Sequence, residues 1–271
     1  MFENNKPNSP QVFWTKYLNG VTLPKPLHSS LGSNGHDATI EYKAYSINLS
    51  KEETKVINDL IKKNSIDLLT CALGAWAILL QRYQNVNDLV IGLKYENNNR
   101  SSQRTINGSN KIISTLPFRI KIPRRKTAEV FLRKVHENCK IIQGYVNTSL
   151  ADIREWIGTH NFFFDSILAI KNHDNIDDKR IHRSGIGNTS TEIDDSKESP
   201  IELYIENSIE IGITFRYKSM LFDGRAIANM ANELKSTLIN ISRLPEMRID
   251  HLNILSPAEQ KMMAEWNDTQ L

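Results

Sequence analysis

Apolar and polar positions alternate between two periods along the chain. In PQVFWTKYLN, residues 10–19, a proline opens the stretch and Phe13, Trp14, Tyr17 and Leu18 share one face. A short amphipathic helix closed by Gly20 is therefore expected. Residues 20–38 carry Pro and Gly in quick succession and read as loop. EYKAYSINL, 41–49, alternates and predicts a strand. Ser50 and Glu53 have the spacing of a capping box, which starts a helix to about Lys63 with Val56, Ile57, Leu60 and Ile61 on its buried face. The next helix, 68–83, is apolar nearly all round and should be the most buried. Asn87-Asp88 reads as a turn. LVIGL, 89–93, is a continuous apolar run of the kind found in strands buried on both faces.

The second half continues the alternation. Residues 96–110 are polar and aperiodic, an exposed loop. The strand at 111–122 contains Pro117, which places it at a sheet edge or bulge. Thr127 caps a helix to about Gln143, with Val130, Phe131, Val135, Ile141 and Ile142 expected to face inward. A short helix at 149–158 ends at Gly158, and FFFDSILAI, 162–170, is a strand. Residues 172–200, rich in Asp, Asn, Ser and Lys, should be mobile. IELYIE, 201–206, and IEIGITFRY, 209–217, form a hairpin across Asn207-Ser208. Helices at about 223–241 and 256–265 complete the chain, the last with Pro257 in its first turn. About six strands and six or seven helices define a mixed-sheet, layered α/β fold.

Composition narrows the function. The 271 residues are 39% hydrophobic and 24% charged with a net charge of +3, the profile of a soluble globular protein. Basic residues are dispersed apart from PRRK at 123–126, so no nucleic-acid footprint is present. The longest apolar run, ALGAWAILL, is far short of the roughly 20 residues that span a bilayer. The polar MFENNKPNSP start lacks the core of a signal peptide. A cytoplasmic, membrane-free protein is expected. Cys71 and Cys139 fall inside helical apolar patterns and read as small hydrophobes in a reducing compartment.

Candidate chemistry is sparse. None of the seven histidines stands in a motif with Ser, Cys or an acid; His136 lies on a charged helix face and His36-Asp37 in a loop. No phosphate loop, dinucleotide fingerprint, nucleophile elbow or metal-ligand spacing occurs. One stretch is suggestive: MLFDGRAIANM, 220–230, ends a possible HHxxxDG signature at Asp223-Gly224, yet 218–222 contain no histidine.

Seven stretches, in order, resemble one family. They are FWTKYLNG; LLTCALGAWAILLQRYQNVNDLVIGLKYENN, with its AWA, LLQRY, ND and IG elements; IISTLPFRI; SLADIREWIG; FFFDSILAIKNHD; FRYKSMLFDGRAIANMANELKSTLINI; and ILSPAEQKMMAEWNDT. Together they cover about residues 12–269 and resemble the second lobe of nonribosomal peptide synthetase condensation domains, a chloramphenicol-acetyltransferase-like fold. The resemblance implies that the first lobe, with the HHxxxDG base, is missing from this sequence. It assigns 1–10 to a flexible N-terminus, 11–250 to the C-terminal lobe and 251–271 to a linker toward an adenylation domain. It places MLFDGRAIANM in a strand-to-helix turn, which implies that Asp223 caps the helix running through Ile227, Met230 and Leu234. The tunnel-lining positions carried over are Ser114, Thr115, Asp152, Arg154 and Trp156. Ser114 replaces the family's Asn, Arg154 its Gln, and an asparagine run at 97–99 its Gly-Arg.

These departures imply a lobe without catalytic residues or metal, monomeric when isolated, that forms a platform for the adenylation domain with Leu255 and Trp266 as linker anchors. The lobe would need no cofactor of its own, since phosphopantetheine would arrive on a carrier protein. Two alternatives stand beside this reading. The chain would be half of an amide-forming acyltransferase completed by an N-terminal lobe, or a recruitment module for a carrier or tailoring protein.

Overall fold

The computed structural model describes residues 9–21, 26–27, 41–97, 112–159, 164–172 and 199–252. Their elements run α1 (Pro10–Leu18), β1 (Tyr42–Asn48), α2 (Lys51–Asn64), α3 (Leu68–Gln84), β2 (Asp88–Asn97), β3 (Ile112–Lys121), α4 (Ala128–Gln143), α5 (Leu150–Ile157), β4 (Ser166–Asn172), β5 (Ile201–Asn207), β6 (Gly212–Lys218), α6 (Gly224–Arg243) and a short 3-10 turn at Ile249–His251. The expected helix at 256–265, the residues around Leu255 and Trp266, and most of the loops expected at 20–38, 96–110 and 172–200 lie outside the described residues.

Local chemistry explains the helix ends. Ser50 and Glu53 make a reciprocal capping box: the Ser50 amide donates to Glu53 Oε2 at 2.7 Å and the Glu53 amide to Ser50 Oγ at 3.2 Å. Asp67, Thr127, Ser149 and Asp223 cap α3, α4, α5 and α6 through their side-chain oxygens. Gly158 stops α5 in the left-handed conformation, φ 68°, which carries no Cβ penalty for glycine.

The six strands form one sheet in the order β1-β6-β5-β4-β2-β3. β2–β4 and β4–β5 are parallel, and the remaining pairs are antiparallel. The register puts Leu89, Ile91, Leu93, Leu116, Phe118, Leu168, Leu203, Ile205, Ile213 and Phe215 on one face, all buried. Helix α3 covers this face: Trp76 Nε1 donates to Ser166 Oγ at 3.0 Å, and its ring meets Phe215 edge-on. α6 packs on α2 and α3, and α4 packs on α3 and β3. As its all-round apolar pattern predicts, α3 is the most buried helix, since no water-facing side has to be polar.

On the opposite face, Val90, Ile167 and Ala169 are buried beside Phe164, whose ring lies where a Gly92 side chain would go. Parallel strands at the centre of a sheet are usually covered on both faces, and β2 and β4 follow that rule. LVIGL is therefore buried on both faces, as its composition demands. Pro117 sits on edge strand β3. The Ile122–Asn87 backbone bond and the β2–β3 register turn its nitrogen outward, so it removes no ladder bond.

Three expectations need correction. Val130 (52% exposed) and Ile141 (45%) face solvent, because Phe131, Leu132, Val135, Cys139 and Ile142 already fill the buried stripe of α4. The β5–β6 connection is longer than Asn207-Ser208: β6 begins at Gly212 and Ile209 is 81% exposed. Ile211 instead turns its amide to Thr54 Oγ1 and accepts the Leu49 amide at its carbonyl. Asp88 lies inside β2 rather than in a turn, where it pairs with Arg119. No single helix among the described residues is long and apolar enough to cross a membrane.

Candidate functional site

The resemblance-derived positions fall on two neighbouring elements. Ser114 and Thr115 are consecutive on β3, so the pleat turns them to opposite faces. Ser114 pairs across the sheet with Tyr95, and Thr115 with Lys94. Asp152, Arg154 and Trp156 ride on α5, which packs against β3 and α1. Asp152 lies in the first turn, its amide donating to the Ser149 cap at 3.0 Å, while Arg154 and Trp156 are half-buried further along the helix. The structure thus brings the two segments to one edge of the sheet.

That edge is closed by α1. The guanidinium of Arg119 grips Asp88 in two bonds of 2.9 and 2.6 Å and donates to the carbonyls of Tyr17 and Asn19 at 3.0 and 2.8 Å. The free carbonyls at the end of α1 thereby find donors. The Tyr17 hydroxyl accepts from Asn138 Nδ2 at 2.8 Å. Burial pushes that hydroxyl's pKa well above the ordinary tyrosine value, against the opposing hydrogen bonds of Asn138 and Arg119.

A second polar group was not visible in the sequence. On the sheet face away from α3, Glu202 is 1% exposed, and its Oε2 accepts from the Tyr204 hydroxyl at 2.6 Å and from Arg216 at 3.2 Å. The Arg216 guanidinium carbon lies 4.3 Å from the centre of the Tyr42 ring, and Lys218 Nζ is 5.9 Å from the same ring. Lys171 Nζ stands 4.6 Å from the Tyr204 ring. Cations over aromatic faces are attracted by the ring quadrupole. Burial raises the Tyr204 pKa, reinforced by the charge of Glu202. For Arg216, burial acts downward and the Glu202 charge and hydrogen bond outweigh it, so its pKa rises. The result is a polar ladder across β1, β6, β5 and β4. It positions charge but places no nucleophile beside a base.

His136 also departs from expectation. Its Nδ1 is 3.0 Å from Thr70 Oγ1 and 3.8 Å from Asp67 Oδ2. The Thr70 hydroxyl spends its proton on Asp67 Oδ1 at 2.6 Å, so Nδ1 of His136 is the donor to Thr70. The sequence separation of 66 residues hid this contact. Its geometry is that of an interhelical tie at the α3 cap. Cys71 and Cys139 are free and buried, and burial pushes both thiols up to about 12, so they behave as the expected small hydrophobes. Asp223 accepts from the Arg225 amide at 2.7 Å, the geometry of a helix cap. Among the described residues, no three His, Cys, Asp or Glu side chains group as metal ligands.

The fold is that of condensation domains, and the chain belongs to the condensation-domain family of nonribosomal peptide synthetases, which matches residues 3–264. It is similar to a linear gramicidin synthase of Brevibacillus parabrevis, 26% identical over 270 residues, covering 96% of this chain and 5% of that protein. Bacitracin synthase 3 of Bacillus licheniformis is 23% identical over 269 residues, covering 96% of this chain and 4% of the synthase. Among solved structures, the four-domain nonribosomal peptide synthetase AB3403 superposes with a TM-score of 0.75 at 16% identity, over 93% of this chain and 20% of that one. The X-domain from teicoplanin biosynthesis in complex with OxyB gives 0.71 at 18% identity, over 90% and 55%. The condensation domain of the polyketide synthase MokA gives 0.65 at 16% identity, over 88% and 59%. The chain therefore spans a small part of the curated synthetases and somewhat more than half of the X-domain and MokA chains.

Proposed function

We propose that these residues form the C-terminal lobe of a condensation domain and serve as a non-catalytic platform for an adjoining adenylation domain. The observation that supports this most is the coverage: about nine-tenths of this chain superposes on only 55% and 59% of the X-domain and MokA chains. Among the described residues there is one six-stranded sheet, which is in keeping with one lobe of a two-lobed domain. The sequence holds no HHxxxDG, and its Asp223-Gly224 is occupied as a helix cap. In this reading Asp152, Arg154 and Trp156 contribute to the tunnel together with β3, on which Ser114 and Thr115 face opposite sides of the sheet, and carrier proteins bring the phosphopantetheine-bound substrates. Leu255 and Trp266, in the 251–271 linker, anchor the adenylation domain, since buried aromatic and apolar side chains dominate interface energy. The setting is cytoplasmic.

The test uses carrier proteins loaded with aminoacyl donor and acceptor. The 271-residue chain alone should give no dipeptide by mass spectrometry. Product formed by the chain alone would overturn the reading, and product formed only after adding a separately expressed HHxxxDG lobe would assign it to a split acyltransferase. Trp266→Ala should weaken binding to the adenylation domain in calorimetry; unchanged affinity would remove the platform role.

A further inference from the structure

The chain leaves the described fold beside a groove. Residues 244–252 are tied down along their length. The carbonyls of Pro245 and Met247 accept the Glu129 and Ala128 amides at 2.8 and 3.0 Å, and the Ile249 and Asp250 amides donate to the Lys126 and Arg124 carbonyls at 3.0 Å. Leu252 is buried, and its carbonyl accepts from Arg82 at 2.7 Å. This segment and the ends of α2 and α6 enclose a groove of about 790 Å³. Its apolar lining is Val56, Leu60, Leu244, Pro245 and Met247, and His251, one residue before Leu252, lines it too. Leu244 is 45% exposed, and Val56 and Met247 are half-buried. Apolar side chains gathered in one open groove mark a contact site.

Residues 253–271 follow Leu252 directly and lie outside the described residues. In their sequence Leu255, Ala258, Met262 and Trp266 recur at the helical spacing of three and four, which puts them on one stripe. Glu259 and Glu265 flank that stripe, one on each side. The charges of the groove are the complement. Arg248 is spent on Asp250, and Asp59 on Lys55. Lys63, Arg243 and Glu246 are exposed and have no ion pair among the described residues. Two bases and one acid thus face a segment whose Glu259, Glu265 and Lys261 offer two acids and one base. We propose that the groove is the seat of this chain's own 253–266 segment, with the Leu255–Ala258–Met262–Trp266 stripe packed on Leu244, Met247, Val56 and Leu60. Glu259 and Glu265 then come to Lys63 and Arg243. The tether is short, so the effective concentration is about millimolar and a modest contact keeps the segment seated. The seat uses the segment invoked for the platform role but needs no adenylation domain.

Fluorine NMR of the 271-residue chain labelled with fluorotryptophan tests it. The chain has four tryptophans, Trp14, Trp76, Trp156 and Trp266, and Trp266→Phe assigns the last. In the wild-type chain the Trp266 resonance should stand away from that of a free peptide spanning 253–271, show little solvent isotope shift and hold its position on dilution. Leu244→Asp, which puts a carboxylate on the exposed apolar wall, should return it to the free-peptide position. The Trp14 and Trp76 resonances should stay in place, the sign of an intact core. Ile209→Asp, at another exposed apolar position, should change nothing. Lys63→Glu should move the Trp266 resonance part of the way. The inference is overturned if Trp266 already stands at the free-peptide position in wild type, or if neither Leu244→Asp nor Lys63→Glu moves it. It is overturned equally if the displacement fades on dilution as dimers seen by light scattering dissociate, since the occupant is then a second copy. Lys63 is exposed, so its variant decides even if Leu244→Asp does not fold. The titration with the adenylation domain stays separate. Affinity lost in Trp266→Ala beside a free Trp266 resonance keeps the platform and removes the seat, and a seated Trp266 with unchanged affinity does the reverse.

Discussion

The Tyr17 hydroxyl completes the outer edge of the sheet: it accepts the Arg119 amide at 2.9 Å and donates to the Arg119 carbonyl at 3.2 Å. A side chain thus supplies the hydrogen bonds that a seventh strand would have made. Tyr17→Phe should cost about 1–3 kcal/mol, the range for leaving a donor unpaired away from water: the Arg119 amide loses its acceptor, while the Arg119 carbonyl keeps the Asn138 amide at 3.0 Å. Urea unfolding measures this as a lower midpoint at unchanged slope. A wild-type midpoint would show that the edge does not depend on the hydroxyl.

Asp223 should behave as a cap and nothing more. Asp223→Ala is expected to lower stability by about 1 kcal/mol, and Asp223→Asn by less, because the amide oxygen still accepts from Arg225. Thermal unfolding of the two variants distinguishes a cap from a charge-specific role. A full condensation domain carrying Asp223→Ala should retain its activity when folded, and a large loss with unchanged folding would contradict the assignment.

Glu53 ties the start of α2 to α6, with Oε2 2.7 Å from Lys235 Nζ. Partial burial pushes its pKa up, but the Lys235 bond, the Ser50 amide and the Lys235 charge outweigh it, and the net pKa is lowered. The folded carboxyl therefore holds its proton less tightly than the unfolded one. The stabilisation is fully present above the unfolded pKa of about 4.3 and is lost as pH falls through the lower folded value. Glu53→Gln should remove this portion of the acid-induced loss. Denaturant midpoints between about pH 5 and pH 3 should fall less steeply than in wild type; identical slopes would disprove the coupling.

Gly92 is required by packing. A Cβ built there would lie 2.6 Å from the Phe164 ring and 2.9 Å from Ile167. Gly92→Ala should cost about 1–3 kcal/mol through overpacking. The companion change Phe164→Leu in the same chain should recover part of that loss. Calorimetric melting of the single and double variants reads both effects, and a purely additive double variant would place the strain elsewhere.

Hydrophobic period and cap residues were enough to place the strands and helices among the described residues and the capping box at Ser50; Pro117 left an edge or a bulge open for β3, and the sheet order decides for the edge. Those signals are local: each depends on residues within a few positions of one another. Val130 and Ile141 were misread because the width of the buried stripe on α4 is set by its neighbours, α3 and β3, rather than by the helix itself. The seven motif stretches carried the family, because spacing and order survive where identity to the relatives is 22–26%.

What the sequence alone determined was the order of elements among the described residues, the mixed α/β class and the condensation-domain kinship. What only the tertiary structure decided was which distant polar residues meet. Thr70 with His136, Tyr17 with Arg119 and Glu202 with Arg216 are brought together by helix packing and strand register. Burial then raises the stakes, because a polar atom removed from water must find its partner in space rather than along the chain.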